Sequence, residues 1–162
     1  MAIGTAVAAT AVAGSAAWLT GSADPGDESC GKPAVDELRA VARRASVVLE
    51  GDVSGPVRLT DGQTTTGGWG MVLRATLVGS PPQAPVAIWP PLDVGEIAAG
   101  RHIVFAVPHP GTRTDGRQQA GYDAVAAGAV YRVTDRELRR VCRTGVSAPV
   151  NRSVLDAVLG RP

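Results

Sequence analysis

The sequence predicts a mostly β domain, a small barrel or sandwich carrying a short N-terminal helix and a short C-terminal helix. Three observations predict it. Five or six short stretches, β-branched or alternating between polar and apolar residues, follow one another and are punctuated by Gly and Pro. Helical spacing of apolar residues occurs only before the first of these stretches and after the last, which excludes a layout of alternating strands and helices. The chain has 162 residues, and without an apolar leader about 140 would remain, the size of one domain with its own core.

The expected organisation is a leader over 1–23, an acidic linker over 24–29 and one β-rich domain over 30–162. From Met1 to Ala23 no side chain is charged, and the run is built from small apolar residues. Gly21-Ser22-Ala23 offers the small residues a signal peptidase reads, so cleavage is expected after Ala23. No Lys or Arg precedes the apolar run, which leaves a start further upstream open. The alternative is an uncleaved membrane anchor, since the uncharged stretch is just long enough to span a bilayer. Both readings place the domain outside the cytoplasm. A membrane contact is expected only through an uncleaved N-terminus.

Cys30 and Cys142 are the only cysteines, and in an exported chain they are most simply one disulfide, a staple between the two ends of the fold. By loop entropy such a bridge would contribute about 4 to 5 kcal/mol. Pro33 to Ala45 then reads as a helix, with Asp36 and Glu37 at its positive end and Arg39, Arg43 and Arg44 toward its negative end. Val35, Leu38, Val41, Ala42 and Ala45 form its apolar face.

Strands are expected over Ser46–Val53, ended by Gly55-Pro56, over Met71–Val78, over Pro85–Trp89 and over Arg101–Val107, stopped by Pro108. Asp61-Gly62 and Thr64 to Gly68 read as a flexible loop, and Gly111 to Gln119 as a polar, mobile one. Ala129–Val133 is the last clear strand. Thr134 to Glu137 reads either as a helical capping box or as a tight turn returning toward Cys142, and the flanking Tyr131, Val133 and Leu138 favour the turn. A helix over about 151–160 follows, capped by Asn151 and left through Gly160.

The order of cysteine, short helix, Ala45-Ser46-Val47-Val48-Leu49-Glu50-Gly51-Asp52-Val53, a long alternating strand and Ile97-Ala98-Ala99-Gly100-Arg101-His102-Ile103-Val104-Phe105 resembles exported proteins with the netrin-like domain of tissue inhibitors of metalloproteinases. The resemblance covers about residues 30–142 and rests on hydrophobic patterns. It implies an OB-like β-barrel. In those inhibitors an N-terminal cysteine chelates the protease zinc through its amine, a role that would fall on Cys30. Cleavage after Ala23 leaves Asp24 to Ser29 ahead of it and locks that amine in a peptide bond, so the inhibitory mechanism does not carry over. The family also usually carries more disulfides than the one this chain can form.

Charge announces no partner: the net charge is +1, and no nucleic-acid target is expected. Lys32 is the only lysine, which reads as the coding bias of a GC-rich bacterium. No HExxH, GxSxG or P-loop pattern occurs, and no catalytic, metal-binding or cofactor-binding set is assigned. A hydrolase would have to use His102 or His109, the only histidines, with a carboxylate such as Asp93 or Glu96. His102 falls in a strand, where a structural role is expected, and His109 lies between two prolines, where exposure is expected. Candidate ligand contacts are Trp69 and Trp89, each equally able to plug a barrel end, and the cluster Arg136, Arg139, Arg140 and Arg143, which also reads as a solvated face. The functional expectation is a non-catalytic extracytoplasmic binding module for an extracellular protein or cell-envelope component, with a secreted hydrolase or a structural envelope protein as alternatives.

Overall fold

The computed structural model describes residues 31–161 apart from 84, 92, 93, 95, 96 and 144. The expected leader and linker, Cys30, Asp93 and Glu96 lie outside the described residues. Helix α1 (Val35–Arg44) is followed by strands β1 (Val47–Thr60), β2 (Thr65–Val78), β3 (Val86–Trp89), β4 (Gly100–His109), β5 (Arg113–Thr114), β6 (Arg117–Gln118), β7 (Ala120–Ala124), β8 (Val130–Thr134), β9 (Glu137–Arg140) and β10 (Val150–Asn151), and by helix α2 (Arg152–Val158). The fold is therefore mostly β with a short helix at each end, as the residue pattern predicts. Among the described residues no helix is long and apolar enough to cross a membrane.

The sheet is organised around β1, which is hydrogen-bonded on both edges. It runs antiparallel to β2 along its whole length and antiparallel to β4 from Val47 to Val53. β2 pairs with β3, β3 runs parallel to β7, and β7 returns antiparallel to β4. The pairings β1–β2, β2–β3, β3–β7, β7–β4 and β4–β1 thus close on themselves. β8, β9 and β10 extend the sheet from β4, and β5 and β6 extend it from the far end of β1. One contiguous apolar core includes Leu49, Met71, Ile88, Ile103, Phe105 and Tyr131, with Leu38 of α1 and Leu155 of α2 fully buried against it.

Several expected boundaries are corrected. β1 does not end at Gly55-Pro56 but continues to Thr60. A register shift falls before the proline, between Val53 and Gly55 (φ 140°), and Pro56 stands opposite Trp69 in a stretch of β1 that β4 no longer flanks, where a missing N–H is tolerated. The Thr65 to Gly68 run is strand rather than loop. A Cβ on Gly68 would stand 2.3 Å from the Leu59 side chain and 2.6 Å from the Ile88 carbonyl oxygen, so this glycine is a close-approach position between β1 and β3. Pro108 does not stop β4, which pairs through it to His109.

The 111–119 segment contains the β5–β6 hairpin, turning through Asp115 at φ 49° and Gly116 at φ 76°. Asp-Gly with two positive φ angles is the signature of a type I′ turn. β7 was not expected at all, because Ala120-Gly121-Tyr122-Asp123-Ala124 carries little β propensity. The predicted return after β8 is a hairpin, with Thr134 opposite Glu137. At the C-terminus Asn151 Oδ1 accepts from the Ser153 N–H, the cap expected for α2. Val35, placed on the apolar face of α1 by its spacing, is 42% exposed.

A buried carboxylate ties β1 to both its neighbour and the terminal helix. The Glu50 side chain is 3% exposed and forms ion pairs with Arg101 of β4 and with Arg152 of α2, the latter at 2.9 Å. Burial pushes its pKa up, but the two guanidinium groups outweigh burial and hold it below the ordinary carboxylate value. Glu50→Ala is expected to cost about 3 kcal/mol, because it removes the buried partner of Arg152 and leaves that guanidinium only the longer contact to Asp156. Arg101→Ala, at a half-exposed site, is expected to cost under about 1 kcal/mol. Urea unfolding of the two variants checks this. With the folded pKa lowered, the Glu50 contribution is present above the unfolded carboxylate value and is lost as pH falls through the folded one. The gap between wild type and Glu50→Ala should therefore shrink on acidification.

Candidate functional site

The two histidines stand on the same strand in opposite environments. His109, the last residue of β4, is not the exposed turn residue its flanking prolines predict. Its ring lies between two carboxylates: Nδ1 is 2.9 Å from Asp123 Oδ2 on β7, and Nε2 is 3.2 Å from Asp61 Oδ2 in the β1–β2 turn. Asp61 is itself fixed, because its Oδ1 accepts from the N–H groups of Gln63 and Thr64 at 2.8 and 2.7 Å. Those backbone hydrogen bonds, with smaller help from His109, pull the Asp61 pKa down to about 2. Burial pushes the His109 pKa down, but the hydrogen bonds and charges of Asp123 and Asp61 outweigh it and raise the pKa.

The other face of the imidazole stacks on Trp89, with ring centroids 4.1 Å apart and planes 14° from parallel. Trp89 Nε1 donates to the Thr112 hydroxyl at 2.8 Å, and that hydroxyl donates to the His109 carbonyl at 2.9 Å. Thr112 is fully buried, and the approach depends on Gly121, where a Cβ would lie 1.8 Å from the Thr112 hydroxyl oxygen. The β1–β2 turn, β3, the end of β4, the start of the β5–β6 segment and β7 are thereby clamped at one end of the fold. This arrangement favours the imidazolium form of His109 and holds the ring in place. Both ring nitrogens are engaged by carboxylates, so neither is left to take a proton from a substrate.

His102 is the reverse case. It is 1% exposed, and its Nδ1 lies 2.8 Å from the Gly100 carbonyl, which fixes the proton on Nδ1. Burial lowers its pKa, and Arg132 lowers it further against the pull of Asp52. His102 faces Arg132 across the β4–β8 ladder, and Arg132 faces Arg139 across β8–β9. Among the described residues no group of three or more His, Cys, Asp or Glu side chains is placed to hold a metal ion.

The remaining candidates do not gather into one site. Trp69 and Trp89 are buried, 7% and 6% exposed, so each fills the interior. Of the arginine cluster, Arg140 is 6% exposed and reaches Glu37 of α1 at 3.2 Å, while Arg139 lies 3.6 Å from Glu137. Arg136 is exposed, and its carbonyl accepts from the Arg152 N–H. Arg143 lines a cleft shared with His102 and Arg132. Cys142 is buried, 7% exposed. Sequence reasoning singles out His109 and Trp89 separately and misses both their stacking and the Asp61, Thr112 and Asp123 that surround them. Only Asp61, in its Asp-Gly turn, carried a local signal, since the others meet through topology. No protein-family model matches this chain, and neither do any curated protein or solved structure compared with it.

The His109 clamp makes a pH prediction. A raised folded pKa means that its stabilisation is complete below the ordinary histidine value of about 6.5 and is lost as pH rises through the folded value. His102, with a lowered folded pKa, acts in the opposite sense, so the readout is the difference between wild type and His109→Gln. That difference in melting temperature is expected to be largest near pH 6 (roughly, from the reference pKa) and to shrink toward pH ~9. An NMR titration that finds the His109 imidazole neutral at pH ~6.5 would contradict it.

Proposed function

We propose that this protein is an exported, non-catalytic binding module on an OB-like β-barrel, stapled by a disulfide between Cys30 and Cys142. The closed circuit of β1, β2, β3, β7 and β4 supports the barrel, because an OB-fold is a five-stranded barrel. In that fold ligands meet the second and third strands and the loops after the first and fourth. The corresponding place here is a cleft of about 160 Å³ between β1, β2 and β3 on one side and the β5–β6 segment on the other. It includes Ser54, Val57, Gly70, Val72, Thr114 and Gln119, and among the described residues no ionisable side chain lines it.

That uncharged cleft, bordered by the 64% exposed Val72, is the observation that carries the reading. It suits an uncharged stretch of an extracellular protein or cell-envelope component and offers nothing to a nucleic-acid backbone. The double engagement of His109 weighs against the hydrolase alternative.

Val72→Asp places a charge in the cleft at a solvent-facing position, where substitution moves stability by less than about 0.5 kcal/mol. It is expected to abolish retention of the envelope or extracellular component captured by the wild-type protein, with an unchanged unfolding midpoint. Equal capture by both proteins would remove this face from the reading. Turnover of an ester, peptide or glycoside that disappears in His109→Ala would replace binding with hydrolysis. The export and the staple are checked separately by intact mass. Protein recovered outside the cell is expected to begin at Asp24 and to take up thiol reagent at both cysteines only after reduction, whereas two thiols reactive without reduction would sink the bridge.

A further inference from the structure

A second cleft, of about 410 Å³, lies on the opposite flank of β4, where β8 and the segment after β9 meet the chain leading into β4. Its walls include the apolar side chains of Ala98, Val141 and Val146, and Val146 is 41% exposed. Arg132 and Arg143 bring cationic side chains to it, and His102 lines it from within the sheet. Arg132 makes no ion pair among the described residues, although its charge acts on the His102 ring. Asp52, the carboxylate that acts on the same ring, is committed to Arg74.

His102 is the second observation. With Nδ1 given to the Gly100 carbonyl, Nε2 carries a lone pair and no proton, and it has no hydrogen-bond partner among the described residues. The residue is 1% exposed, yet Nε2 is not sealed among the buried unpartnered atoms, so this acceptor opens to the cleft and can take a donor from whatever enters it. The cleft therefore combines an accessible acceptor, cationic side chains and apolar walls, as small-molecule sites combine apolar lining with a few convergent polar groups.

We propose that this cleft binds a small hydroxy carboxylate with an apolar body, its carboxylate on Arg132, its hydroxyl donating to Nε2 of His102 and its apolar part against Val141 and Val146. A phosphate would satisfy the arginine but would bring Nε2 a donor only when protonated, and a hydrocarbon would satisfy neither group. The site is separate from the β1–β2–β3 cleft and stands or falls independently of it.

Mandelate carries all three features and serves as the probe. Titrated into the isotopically labelled full chain, it is expected to shift the His102 ring and Val146 methyl resonances in a saturable way. Phenylacetate, which lacks the hydroxyl, and mandelamide, which lacks the charge, are each expected to bind about 10-fold more weakly, the ratio for one lost hydrogen bond or ion pair of ordinary strength. Arg132→Gln, at an exposed position, is expected to weaken mandelate by a similar factor without moving the melting temperature, and Val72→Asp to leave it unchanged. No saturable shift at ~10 mM mandelate, where a millimolar site is nearly filled, would overturn the proposal. Equal binding of the three compounds, or by wild type and Arg132→Gln, would overturn it as well.

Discussion

The fold depends on a strand whose first half is paired on both edges. From Val47 to Val53, β1 is paired to β2 on one side and to β4 on the other, and Glu50 in the middle of that stretch is a buried carboxylate with arginines on two other elements. The pairing alone would specify where β4 lies. The carboxylate adds the terminal helix, because the Arg152 guanidinium that answers it sits at the first position of α2. A buried charge cannot be left unanswered, so β1, β4 and α2 are fixed together even though Glu50 and Arg152 are a hundred residues apart in the chain. Helix α1 is held differently, by Leu38 and Val41 in the core and by Glu37 reaching the buried Arg140.

How much of this was legible depends on whether a feature is local. β2 over Met71–Val78 shows in its alternation, α2 in its cap, and the β8–β9 hairpin in the apolar residues on either side of the turn, because each obeys a periodicity or a turn rule within a few residues. The extended part of β1, the Gly67-Gly68 stretch and β7 were not legible by those rules. Glycine signals freedom in a sequence, yet Gly68 and Gly121 are there because Leu59 and Thr112 leave no room for a Cβ. The sequence shows the missing side chain and not the neighbour that requires it to be missing. The Asp115-Gly116 turn is a different case: its signal was present, and the polar residues around it hid the short strands it joins.

The same distinction explains the histidines. His109 has prolines on both sides, and nothing nearby in the chain foretells Asp61 or Asp123, which arrive through the β1–β2 turn and through β7, the strand with the weakest local signal. His102 was legible as a structural residue because its own strand alternation places it. What placed an arginine beside it was the β4–β8 register, which no local pattern carries.

Seven residues apart on β4, the two rings have their pKa values pushed in opposite directions by their surroundings. Two carboxylates push His109 toward the cation, and burial with Arg132 pushes His102 toward the neutral form against the pull of the Gly100 carbonyl and Asp52. A general base must exchange a proton near working pH. Neither ring is arranged to do so, one because both nitrogens already face acids and the other because charging it would place a cation inside the sheet beside an arginine. Each is instead bound to its surroundings, His109 to two carboxylates at the clamped end of the fold and His102 to a backbone carbonyl at the flank. Each ring thus serves its own end of β4, His109 by joining the β1–β2 turn to β7 and His102 by bonding back to the chain that enters the strand.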